Sequence, residues 1–234
     1  MKKISFLIFI ATSLFFTSCK NKISDLEFEK KVMTEIFPDL IDSTCMDTRV
    51  FTNFPPEYGE SIFDKKGHYI GVDSTKATKE QKQKLVEWKI NTERIKKDTS
   101  KIIIAFDPTI EYSGEDLKEY LEKHFKSTKA FVPKEKIYNE YIFDFKNIKL
   151  NNRFELRNIN QFPKERGKIW ETKYSFNFSG AVFFTRIQFD QTKKFGVLNA
   201  GFACGRLCGQ GFRIYIKKIN ENWIIDKIEE TWVS

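Results

Sequence analysis

Histidine is scarce: the chain has 234 residues and two histidines, His68 and His124, too few for a His-rich metal centre. Eleven glycines and six prolines exclude a collagen-like or low-complexity chain. Only 8 of the 40 cationic side chains are arginine, and no helix-turn-helix, zinc-finger or RNP-like pattern is present, so no nucleic-acid partner is expected. Four cysteines stand at 19, 45, 204 and 208. None forms the Cys-x-x-Cys pair of a thioredoxin-like centre, and the 204/208 spacing lacks the second ligand pair of a zinc module. Gly-x-Ser-x-Gly, Ser-x-x-Lys, His-Glu-x-x-His and the phosphate-binding Gly-x-x-x-x-Gly-Lys-Ser/Thr are all missing. The sequence therefore assigns no catalytic residue, no metal and no cofactor.

What is present is a folding chain. It is 41% hydrophobic and 15% aromatic, with 24 Phe and 4 Trp, enough apolar area to offset chain entropy. The formal net charge is +8. Lysines alternating with glutamate and glutamine, as in residues 79–84, read as a solvated basic face.

The N-terminus reads as an address. Lys2 and Lys3 precede an apolar run over residues 4–16, too short for the roughly 20 residues that span a bilayer. Thr17, Ser18 and Cys19 follow. Phe16-Thr17-Ser18-Cys19 resembles a bacterial lipobox of the loose Bacteroidetes kind, in which the cysteine is lipidated and becomes the mature N-terminus. Residues 1–18 are then a signal peptide, 19–23 a tether and 24–234 one domain. The partner implied is the lipid bilayer, reached through Cys19. No acidic cluster follows the cysteine (Lys20-Asn21-Lys22), which points to the periplasm-facing leaflet of the outer membrane. Asp42-Ser43-Thr44 and Asp73-Ser74-Thr75 resemble the short O-glycosylation motif of Bacteroidetes periplasmic proteins, with Ser43 and Ser74 as acceptors.

Helical periodicity predicts a first helix over 23 to about 40, capped by Ser24 or Asp25, with Pro38 discouraging simple continuation. A second is expected over 78–97, capped by Thr78 with Gln81, and a third over 113–125. Residues 52–71, rich in Pro and Gly, read as irregular. Residues 102–106 are a short buried strand. Beyond about 136 the texture turns to β, with extended segments over 137–145 and 148–156 and then consecutive strands from 174 onward. Turns are expected at 190–193, 205–211 and 220–222. The fold class is α+β, with N-terminal helices packed on one face of a C-terminal antiparallel β-meander. The glycines of the 205–211 turn are expected to supply positive φ. Cys204 and Cys208 stand at the junction of the two strands joined there, and in an oxidising compartment a disulfide between them is the default, leaving Cys45 as a buried thiol.

The last sixty residues resemble a family of uncharacterised bacterial envelope proteins. Ser179-Gly180, the run 183–190, Cys204-Gly205-Arg206-Leu207-Cys208-Gly209-Gln210-Gly211, and the ending from Trp223 to Trp232-Val233-Ser234 carry the likeness. It implies kinship and fold, and no activity. The leading expectation is a lipid-anchored envelope protein with a binding or structural role. The alternatives are an envelope hydrolase with a pocket in the sheet concavity and an immunity or inhibitor protein.

Overall fold

A computed structural model describes residues 23–126, 128–132, 140–150 and 153–234; the segment around Cys19 lies outside them. The Ser24 hydroxyl accepts from the Glu27 amide at 3.2 Å and caps α1 (Asp25–Thr44). The helix runs through Pro38 to Thr44, four residues past its expected end. Packing explains this: Leu40, Ile41 and Thr44, all beyond the proline, are buried, and their burial offsets the backbone bond that proline cannot make.

After α2 (Thr48–Phe51), the stretch expected to be irregular contains a hairpin, β1 (Glu60–Phe63) paired with β2 (Tyr69–Asp73). Its strands are almost wholly exposed, so they lack the period-two burial signal that reveals a strand. The third helix, α3 (Lys79–Lys97), begins as the spacing predicts, with a reciprocal capping box between Thr78 and Gln81. Then come β3 (Ile102–Phe106), β4 (Thr109–Ile110) and α4 (Lys118–His124). That helix starts five residues later than expected. Gly114 at φ +74° breaks the run, and the Ser113 hydroxyl and Asp116 carboxylate capture the amides of Glu115 and Lys118.

The remaining elements are β5 (Tyr141–Ile142), β6 (Phe154–Asn158), α5 (Lys168–Glu171), β7 (Asn177–Phe184), β8 (Gln188–Phe189), β9 (Phe195–Gly205), β10 (Cys208–Ile219) and β11 (Asn222–Val233). Of the extended segments expected over 137–145 and 148–156, the described residues hold β5 in the first, and β6 begins within the second and runs two residues past it; residues 133–139 and 151–152 lie outside the described ones.

The fold is mixed α and β, with helices mainly N-terminal and an antiparallel C-terminal sheet. Two features depart from the expected meander. The main sheet runs β11-β10-β9-β7-β3-β6, and β3 enters it parallel to both β7 and β6. Furthermore, both faces of the sheet are covered. On one, α1 packs Val32, Met33, Ile36, Phe37 and Leu40 against Ile104, Phe184, Phe202 and Ile214. On the other, Leu117 and Leu121 at α4 pack on Val197 and Tyr215, while Phe162 packs on Ile103 and Ala105. All five residues of β3 are buried, the signature of a parallel strand covered on both sides.

Cys204 and Cys208 form a disulfide across the β9–β10 hairpin, Cα to Cα 5.0 Å. Closing so small a loop contributes about 2 kcal/mol. Cys45 is a free, buried thiol whose pKa is pushed up by burial. The β10–β11 turn places Asn220 and Glu221 at φ 47° and 72°, a two-residue hairpin of the type that suits right-twisted strands.

Candidate functional site

β10 alternates. Phe212, Ile214 and Ile216 point into the main core, so Gly209, Gly211, Arg213, Tyr215 and Lys217 share the opposite face. That face carries an open groove of about 610 Å³ between the β4–α4 loop and the end of β11.

Trp232 lines one end of it and lies on the glycines of the Cys-Gly-Gln-Gly run. Neither Gly209 nor Gly211 has positive φ, contrary to expectation, and the β9–β10 loop is only Arg206 and Leu207. Their use is close approach. A Cβ on Gly211 would overlap Nε1 of the Trp232 indole, and one on Gly209 would sit 3.0 Å from its Cζ3. The pyrrole and benzo halves of the indole therefore lie along two same-face glycines of β10. Gly201 plays the same part for Phe183, whose ring tip a Cβ there would overlap. The register aligns the four across the sheet: Phe183 opposite Gly201, Gly201 opposite Gly211, Gly211 opposite Trp232. Both aromatic side chains remain 46% exposed.

Beyond this platform the groove is polar. Nη2 of Arg213 donates to both Glu115 oxygens, at 2.8 and 2.9 Å, and its guanidinium lies 3.4 Å from the centroid of the Tyr120 ring. Asn199 Nδ2 donates to the same carboxylate at 2.9 Å. The late start of α4 puts Glu115 in the loop, where it can make these contacts.

Next along β10, Tyr215 stacks on His124, centroids 4.0 Å apart, and its hydroxyl donates to Glu229 at 3.1 Å. Burial, with the Glu229 carboxylate beside it, pushes the Tyr215 phenol up to about 12, so it stays a donor. Lys227, bonded to Glu229 at 2.6 Å, holds that carboxyl below its usual range against the effect of burial, and Tyr215 assists. His124 Nε2 meets Asp226 at 2.7 Å. Asp226 is the extra residue of a bulge in β11, and Lys217 and then His124 hold its carboxyl low.

Ser43, Ser74 and His68 lie elsewhere. Ser43 is exposed in the last turn of α1, and Ser74 is exposed in a 3-10 turn, Ser74–Lys76. His68 is exposed and pairs with Asp64 at 3.2 Å. Among the described residues no group of three or more His, Cys, Asp and Glu side chains is arranged to hold a metal ion, and no helix is long and apolar enough to cross a membrane. Sequence reasoning missed Arg213, Glu115, Asn199 and the Trp232 bed. The alternation of β10, with glycines two apart, was the available signal. Comparison with family models, curated proteins and solved structures found no match.

Proposed function

We propose that this is a lipid-anchored cell-envelope protein, held through Cys19 in the periplasm-facing leaflet of the outer membrane, whose body binds a ligand on the polar face of its sheet and performs no chemistry there. The ordered n-region, apolar run and cysteine support the anchor. The single observation carrying the binding role is the groove itself: two aromatic faces open to solvent beside two ion pairs, Arg213 with Glu115 and Lys227 with Glu229, and the exposed residues Glu111 and Glu230. A general acid needs a carboxyl held high near working pH, and Glu229 is shifted the other way. Such groups hold and orient a ligand.

Labelled palmitate is the test of the anchor. It should enter the wild-type protein and not Cys19→Ala, and only the wild type should sediment with membranes. Equal membrane association of Cys19→Ala, with no lipid on the wild type, would overturn the anchor and the localisation with it.

A further inference from the structure

We propose that the groove takes a neutral saccharide, with the hydrogen-bearing face of one pyranose ring seated on the outer face of Trp232. The inference rests on the groove being a binding site and adds the class of its ligand. Three observations carry it.

The first is the platform. One side of the indole is committed to the backbone of Gly209 and Gly211, while the side chain stays 46% exposed. The ligand that covers such a plane needs a flat apolar surface of its own. The row from Phe183 through Gly201 and Gly211 to Trp232 gives the platform length across four strands, and about 610 Å³ is within the usual size of small-ligand sites.

The second is charge. Glu111, Glu115, Glu229 and Glu230 line the groove; Arg213 answers Glu115, and Lys227 answers Glu229. An anion would have to approach all four carboxylates, and a cation seated between the two pairs would compete with Arg213 and Lys227. A neutral ligand disturbs neither pair.

The third is the chemistry of the rim. Carboxylate oxygens of Glu115 and Glu229, the Asn199 amide and the Arg213 guanidinium line one side of the groove. An acyl chain laid there would strip water from these groups and give nothing back. A pyranose has an apolar C–H face, and its hydroxyls project sideways, both donating and accepting. Apolar below and hydrogen-bonding at the edge is the pattern of the groove.

The test is calorimetric titration of the detergent-solubilised, full lipoprotein. The probes are neutral linear hexasaccharides of glucose, N-acetylglucosamine, mannose and xylose, with a galacturonate hexasaccharide and hexalysine beside them. At least one neutral hexasaccharide should bind, and Trp232→Ala should weaken it by roughly tenfold. Phe183→Ala, which leaves the end of β11 intact, should weaken it as well. Trp232→Tyr, which keeps a flat ring, should recover part of the loss. Trp232-dependent binding of galacturonate or hexalysine, with none of the neutral sugars, would overturn the ligand class and leave the groove as a binding site. Neutral-sugar binding unchanged in both alanine variants would overturn the assignment to this groove. No binding of any probe would overturn both the saccharide and the binding role proposed for this face.

Discussion

Glu29→Ala is expected to destabilise the protein by about 3–5 kcal/mol, measured as a shift of the urea midpoint with an unchanged slope. Glu29 lies on the buried face of α1 with its side chain 4% exposed, and its partner Arg186 is 13% exposed. Arg186 Nε donates to both carboxylate oxygens at 2.8 Å, Nη2 donates at 2.6 Å, and the Ile187 amide donates at 3.0 Å. The pair sits at the gap where β7 ends and β8 begins, so it fixes α1 across a break in the sheet. Removing Glu29 leaves a guanidinium in an apolar setting. The double variant Glu29→Leu/Arg186→Met, which removes both charges, should recover much of the loss. A loss below about 1 kcal/mol in the single variant would show that the pair is solvated in solution.

Asp190→Ala should cost about 3 kcal/mol and flatten the acid side of the stability profile. Asp190 is fully buried at the turn between β8 and β9. Its carboxylate accepts from the hydroxyls of Thr128 and Thr192 and from the amides of Thr192, Lys194 and Phe195. Burial alone would raise its pKa, but the Thr192 hydroxyl and the three amides outweigh it and hold the carboxyl below its usual value. The sign follows from linkage. A folded pKa below the unfolded value, near 3.9, stabilises above that value, and the stability is lost as pH falls through the lower folded pKa. Denaturation at pH 7 and at about pH 3 should therefore show a larger acid loss in the wild type than in Asp190→Ala. Parallel losses would mean that Asp190 is not held by these donors.

Much of the secondary structure was legible because local chemistry decides it. Thr78 and Gln81 announce α3 through their capping box, and Ile102 to Phe106 announce β3 as a short apolar run. Where the reading failed, long-range packing had won over a local rule. Pro38 would end an isolated helix, yet Leu40 and Ile41 are held by the core. β3 reads as a buried strand, but its neighbours are 52 and 75 residues downstream, Ile102 pairing with Phe154 and Asn177, and nothing local gives its parallel direction.

The candidate site was hidden for the same reason. Gly209 and Gly211 suggested a turn because glycine usually marks backbone freedom. Here it marks the absence of a side chain beneath an indole 21 residues after Gly211, in the neighbouring strand. Likewise Arg213 meets a glutamate 98 residues away. The cysteine pair could be read locally, since both partners flank one two-residue loop.

The binding face stands or falls with the position of the Trp232 ring. Nuclear Overhauser contacts in the isotope-labelled protein measure that directly. The benzo ring of Trp232 should contact the α-protons of Gly209, and the pyrrole edge those of Gly211. Both glycines should also show ring-current shifts that vanish in Trp232→Ala. If these contacts are absent, and the glycine resonances are the same with and without the indole, then Trp232 does not lie on β10 and the platform proposed as the binding face does not exist.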